Sequence, residues 1–185
     1  MTLTLTADLP ETATWEIDPI HSTARFGIRH HGIASFRGGF TGVSGAYDGA
    51  GQVLSGSVRA DNIDLQGHAL FKEHLLSERW FDAENHPTLS FRSGALATGA
   101  DGSLQANGEL TIKGIAQPIT ATGSVRGPIQ VRHNDGHTSD RLAIDLSTTV
   151  DRRGFGIDFN NELAAGILNL GWDVTIEVAL ELTRS

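Results

Sequence analysis

Residues 172–183 read WDVTIEVALELT, and their period is two. Trp172, Val174, Ile176, Val178, Leu180 and Leu182 fall on one side of an extended chain. Asp173, Thr175, Glu177, Glu181 and Thr183 fall on the other, with Ala179 the apolar exception. Side chains of a strand point alternately to its two faces, so this stretch predicts a strand with one face in a core and one in water. The alternation recurs upstream. Leu142, Ile144, Leu146 and Val150 alternate with Asp145, Ser147, Thr149 and Asp151. Ile119, Ala121, Gly123, Val125, Ile129 and Val131 alternate with Thr120, Thr122, Ser124, Arg126 and Arg132. Ala24, Phe26 and Ile28 share a face opposite Thr23, Arg25 and Arg29. Further strands are predicted over 14–18, 36–47, 52–65, 87–93 and 103–113. The 52–65 stretch changes phase between Val58-Ala60 and Ile63-Leu65, as a bulge near Asp61 or Asn62 would make it.

Turn signals separate these runs at Asp48-Gly49, Asp101-Gly102, Lys113-Gly114 and Asn134-Asp135-Gly136. Two segments break the pattern. Residues 67–82, GHALFKEHLLSERWFD, read as a short helix and a turn, with Leu70, Phe71, His74 and Leu75 on one helical face. Residues 153–169 read as a loop with one helical turn. About eight strands with one apolar face each require a closed or folded-over sheet, an up-and-down barrel or a sandwich. A hairpin turning near Ile115-Ala116 places Leu110 opposite Ala121, Gly108 opposite Gly123 and Ala106 opposite Val125. Such small inward residues either leave a cavity or make room for a bulky side chain from another strand.

Composition bounds the function. A chain of 185 residues suits one domain, here a flexible N-terminal segment over 1–13 and a single barrel domain over 14–185. There is no cysteine, which excludes disulfides and thiol chemistry. The formal charge is −8, and Lys and Arg are scattered, which argues against nucleic acid as a partner. The N-terminus carries Asp8 and Glu11 and no signal-like apolar core, so a cytoplasmic location is expected. The longest apolar stretch, Leu163 to Leu170, is interrupted by Gly166 and Asn169 and is too short for an integral membrane segment.

Several motifs in order resemble one family. Trp15-Glu16-Ile17-Asp18-Pro19, His21-Ser22 and Phe26-Gly27-Ile28-Arg29-His30 resemble its opening strands, and Phe36-Arg37-Gly38-Gly39-Phe40 the next. His74-Leu75, Trp80-Phe81-Asp82, His86-Pro87 and Leu89-Ser90-Phe91 resemble its central stretch. Asn107-Gly108-Glu109-Leu110-Thr111-Ile112-Lys113-Gly114 resembles its GxLTxxG hairpin, and Arg153-Gly154-Phe155-Gly156 its late RxxFG segment. The chain thus resembles the YceI-like family of lipocalin-like polyisoprenoid- and lipid-binding proteins. The resemblance implies an all-β, eight-stranded antiparallel lipocalin-like barrel with a short helix between strands and an apolar internal cavity. It implies a bound polyisoprenoid or isoprenoid quinone, with no cofactor required. Many relatives are periplasmic or secreted. Phe71 stands where relatives often carry an arginine, which exchanges a polar anchor for an aromatic one.

The candidate ligand-binding residues are His21, Phe26, His30, Phe40, Phe71, His74, Leu75, Phe81, Phe91 and Phe155. His30 is in phase with Phe26 and Ile28 and is expected to point inward, where it could donate to a ligand oxygen. A histidine bonded to a backbone carbonyl is the alternative for each of the three. No motif for a nucleophile, a phosphate loop or a dinucleotide is present. No catalytic residue is therefore assigned. The leading expectation is a module that sequesters or carries a long apolar ligand, a polyisoprenoid, isoprenoid quinone or fatty-acyl lipid. Alternatives are an isomerase- or cyclase-type barrel enzyme using one of these histidines, and a metal-binding protein using His133, Asp135, His137 and Asp140. The Asn134-Asp135-Gly136 core favours a plain hairpin turn, and no metal is assigned. A homodimer through an outer barrel face is a further expectation.

Overall fold

The computed structural model describes residues 9–65, 69–163 and 166–185. Its strands are β1 (Thr14–Ile17), β2 (Thr23–His30), β3 (Ala34–Phe40), β4 (Ser44–Asp48), β5 (Val53–Arg59), β6 (Ile63–Asp64), β7 (Thr88–Ala95), β8 (Ala97–Thr98), β9 (Ser103–Ile112), β10 (Ile115–Arg132), β11 (Thr138–Asp151) and β12 (Leu170–Arg184). One helix, α1 (Ala69–Leu76), stands between β6 and β7.

Every pairing is antiparallel, and the pieces assemble into eight staves. β12 faces β1 at its end, through Ile17 and Leu182, and β2 at its middle, through Ala24 and Val178. β1 and β2 are therefore halves of one bent strand. β4 and β3 continue each other in the same way, against β1 and β2, and β5 and β6 against β4 and β3. β7 and β8 both lie on β9, and β9 to β12 follow as a meander. The return of β12 to the first stave closes an eight-stranded antiparallel barrel and removes the open edges.

The breaks within staves have local causes. Gly42, at φ +69°, bends the chain between β3 and β4. The phase change expected as a bulge at Asp61 or Asn62 is a 3-10 turn, Ala60–Asn62, which reverses the strand's faces over its length. The hairpin between β9 and β10 turns at Lys113-Gly114, with φ +52° and +71°, and not at Ile115-Ala116. Leu110 consequently faces Gln117 and Ala106 faces Ala121. The register moves by an even number of residues, so the hairpin side chains up to Val125 keep the face expected of them. Beyond it a bulge at Gly127-Pro128 reverses the phase, and Ile129 and Val131, expected inward, lie opposite Arg141 and Ser139 on the outer face.

The interior has two parts. Trp15, Tyr47, Leu104, Ala106, Ala121, Val125, Leu142, Ile144 and Leu182 pack the lower half solid. Leu9 joins this cluster, and the Tyr47 hydroxyl donates to the Pro10 carbonyl, so packing against the barrel begins ahead of Thr14. Ala106 and Ala121 are thus filler positions against bulky neighbours rather than cavity wall. The second cluster, including Trp80, Leu89, Ile112, Val150, Phe155 and Ile157, lies at the other end. The β2–β3 turn, α1, the β9–β10 hairpin and the β11–β12 connection all meet at this upper end. That connection holds its helical turn at Arg152–Phe155, as a 3-10 turn, and its residues 164 and 165 lie outside the described ones.

Candidate functional site: an apolar cavity under two covers

The upper half of the barrel encloses a cavity of about 710 Å³. That lies within the ~300–1,000 Å³ range of sites that enclose a small molecule. One wall is the upper part of the β12 stripe, Val174, Ile176 and Val178, with Phe26, Ile28, Phe36 and Phe40 of β2 and β3 beside it. The opposite wall is Val58, Leu89, Phe91, Leu110 and Ile112, while Val150 of β11 lies directly beside Val174. The floor is Ile17, Val43, Leu54, Gly56 and Leu180, the top of the packed lower core. Polar side chains are few, among them His30, His74, Arg152, Asn161 and Asn169.

Two chain segments cover this end. α1 brings Phe71, His74 and Leu75 to the cavity, while Leu70, expected on the same face, is 83% exposed. The turn after α1 sends Trp80 and Phe81 inward. The Trp80 indole N–H donates to His74 Nε2 at 2.8 Å, which holds the imidazole against the indole. The second cover is 156–161. Phe159 meets Trp80 edge-on at 6.1 Å, and Arg79 lies over the Phe159 ring at 4.6 Å, so the two covers touch each other. Asn160 brackets Leu170 through both its carbonyl and its N–H, and His31 bonds Asn169 through its backbone N–H and its ring.

Beneath the covers lies Arg152, 4% exposed. Its Nε donates to the Gly171 carbonyl at 3.0 Å, and its Nη1 to those of Ile157 at 2.7 Å and Phe159 at 2.9 Å. The guanidinium sits 4.5 Å from the Trp172 ring centroid and 5.6 Å from that of Trp80. Burial pushes its pKa down, with Asp151 and Asp158 acting in the other direction.

The family profile of the YceI-like domain matches residues 15–182. The chain belongs to the YceI-like family. A UPF0312 protein of Staphylococcus aureus is 26% identical over 173 residues, covering 91% of this chain and 96% of that protein. BcnA of Burkholderia cenocepacia superposes with a TM-score of 0.70 at 22% identity, over 89% of this chain and 98% of its own. A domain of Saccharophagus degradans described as polyisoprenoid-binding, and implicated in plant cell wall breakdown, gives 0.71 at 12% identity, over 94% and 100%. The YceI protein of Campylobacter jejuni gives 0.67 at 17% identity, over 83% and 87%.

Within this YceI-like barrel, Phe26, His30, Phe40, Phe71, His74, Leu75, Phe81, Phe91 and Phe155 all border the cavity. His21 does not. It sits on an outer turn between β1 and β2, with its Nδ1 2.9 Å from Asp18 Oδ2. Its phase could not be read because Asp18–Ser22 interrupts the stave. Sequence reading also missed Arg152, Phe159, Asn161 and Asn169. The RxxFG spacing begins at Arg152, and Arg153, to which the motif was assigned, is half-exposed and paired with Asp151. A strict count along the motif would have found the buried arginine. The two asparagines carry no periodic signal at all.

The polar clusters elsewhere are of a different kind. Asp18, His21 and Glu181 converge, but Arg141 Nη1 already donates to Asp18 at 2.8 Å and Glu181 at 2.9 Å. His21 first, and Arg141 after it, hold the Asp18 carboxyl well below the usual carboxylate range, and Asp18 raises the His21 pKa in return. This is an ion-pair network on the outer wall. His133 and His137 stack at 4.0 Å across the tip of the β10–β11 hairpin, where the His133 N–H donates to the His137 carbonyl. That is hairpin geometry: His137 Nδ1 meets the Asp135 carboxylate as a pair, and among the described residues no third ligand atom of this loop joins them. Among the described residues no helix is long and apolar enough to cross a membrane.

Proposed function

We propose that the barrel binds and sequesters or carries one long apolar ligand, a polyisoprenoid, an isoprenoid quinone or a fatty-acyl lipid. The observation that carries this reading is the 710 Å³ cavity with its nearly unbroken apolar wall. Removing each methylene from water is worth about 0.8 kcal/mol, so a chain-like molecule gains affinity in proportion to the length it inserts. The Saccharophagus domain, described as polyisoprenoid-binding, supports the class, since the two barrels share a fold. The covers formed by α1 and 156–161 would have to move for the ligand to pass. Binding rather than turnover is favoured by what surrounds the histidines. His21 is outside the cavity, His74 is held by Trp80, and His30 is stacked on His31 at 3.7 Å.

The test is mass spectrometry of an organic extract from protein purified without detergent, together with titration of a fluorescent polyene fatty acid. A stoichiometric apolar species, or saturable binding displaced by prenyl or fatty-acyl compounds, is expected. Folded protein that yields no such species and takes up no probe refutes the reading.

A further inference from the structure

Arg152 carries a positive charge into an apolar wall with no direct ion-pair partner, only the more distant influence of the Asp151 and Asp158 carboxylates. Its neighbours Asp151 and Arg153 pair with each other, and among the described residues no carboxylate is within ion-pair distance of Arg152. Three backbone carbonyls occupy Nε and Nη1, but Nη2 is buried and has no hydrogen-bond partner. A buried charge is costly unless it is paired and its donors are satisfied. The stacked tryptophans offset part of that cost, but a π face neutralises no charge and accepts no regular hydrogen bond from the Nη2 edge.

A purely structural role would be to tie 157–159 to β12. The three carbonyl bonds already do that, and a neutral donor would serve it more cheaply. What they leave unmet is one acceptor and one negative charge, in a residue that itself forms part of the cavity wall. A planar guanidinium suits the oxygens of an acid better than a lone carbonyl.

We propose that Arg152 is the anchor for an anionic oxygen headgroup, a carboxylate or phosphate ester at the end of an apolar chain, so that the preferred ligands of this cavity are acidic lipids. This deepens the preceding reading and rests on it. Nη2 is buried under the covers, so the headgroup would take this donor as the covers move aside, and the chain would run down between β12 and β9 to the floor.

The experiment compares ligands that differ only at the head, at pH 8, where both acids are ionised: hexadecanoic acid against hexadecanol, and farnesyl monophosphate against farnesol. The wild-type protein is expected to prefer at least one acid over its alcohol by on the order of ten- to a hundred-fold. In Arg152→Met that ratio collapses towards one while alcohol affinity stays within a few-fold. Arg152→Lys, which keeps the charge, retains part of the preference. The two pairs separate carboxylate from phosphate as the source of the anion. Equal affinity for acid and alcohol in the wild type overturns the proposal, as does a preference that survives in Arg152→Met. If Arg152→Met does not fold, the wild-type ratio and the Lys variant decide. Binding of none of the four compounds overturns the apolar-cavity reading itself, and so is told apart from failure of the anchor.

Discussion

Gly56 offers a way to fill the cavity without disturbing its wall. It lies on β5 between Leu54 and Val58, in phase with both, and all three border the cavity. A Cβ built there meets only Ile17 Cδ1 at 3.7 Å and the Ser44 carbonyl at 3.8 Å, which are ordinary contacts. Gly56→Leu therefore places a four-carbon group in the lumen at the floor. The strand tolerates it, and loses a glycine whose backbone freedom costs about 0.5–1 kcal/mol on folding. A ligand that reached the floor must withdraw about four methylenes, at about 0.8 kcal/mol each, for a loss of about 3 kcal/mol or roughly a hundred-fold in Kd. Fluorescent fatty-acid titration gives the affinity, and thermal denaturation checks that Tm is unchanged or raised. A short-chain probe should lose much less than a long one. Folded Gly56→Leu that binds a sixteen-carbon probe within threefold of the wild type would mean that the chain never reaches the floor, and the ligand orientation argued above would fail with it.

Three further predictions concern the frame. Arg141→Met leaves Asp18 and Glu181 without their shared donor on a partly buried wall, and should cost about 1–3 kcal/mol in denaturant unfolding; an unchanged midpoint would make the network decorative. Gly114→Ala imposes a side chain at φ +71° with its Cβ 2.5 Å from the His86 ring, and should lower Tm by roughly 3 °C or more for each ~1 kcal/mol lost; calorimetry reads this directly. The Asp18–His21 pair makes stability depend on pH at both ends. Asp18 has its pKa lowered from 3.8, so its contribution is present above that value and lost as pH falls through the folded one; His21 has its pKa raised from 6.5, so its contribution is present below that value and lost as pH rises through the folded one. The stability difference between wild type and His21→Gln should accordingly be largest between about pH 4 and 6.5 and shrink above it, and a difference that grows with pH would contradict the pairing.

The barrel was legible because its signal is periodic. The stripe from Val174 to Leu182 turned out to be inward along its length, and the even shift of the β9–β10 hairpin moved partners without moving faces. The breaks in the staves were not legible. Asp18–Ser22 and Ala60–Asn62 interrupt the alternation by local turns, and each time the phase beyond the turn has to be found afresh. His21 was lost at the first and the bulge at the second. Aromatic side chains of the site were found because they share the strand period. Arg152, Asn161 and Asn169 were not, since they sit in irregular chain whose course depends on the contacts it makes.

Whether the interior is filled or hollow lies beyond periodicity, because the same stripe does both. Leu180 and Leu182 of β12 end against the packed lower core, while Val174, Ile176 and Val178, six, four and two residues before Leu180, line the cavity. The difference comes from where the large rings on other staves go. Trp15 and Tyr47 fill the lower half. In the upper half the rings are drawn aside by inward glycines. A Cβ on Gly38 would lie 2.6 Å from Phe26 Cζ, and one on Gly108 2.4 Å from the Arg92 carbonyl oxygen and 2.7 Å from the Phe91 ring. Each ring puts its tip in the place where a side chain would have been. Phe26 then stacks obliquely on Phe36 and Phe40 at 6.4 and 6.0 Å, so the row of phenylalanines becomes a lining. Gly108 is thus filler in the local sense, since it makes room for its neighbour's ring, and in making that room it leaves the centre of the barrel open. A cavity of this kind is built by pairs, a glycine on one stave and an aromatic on the next.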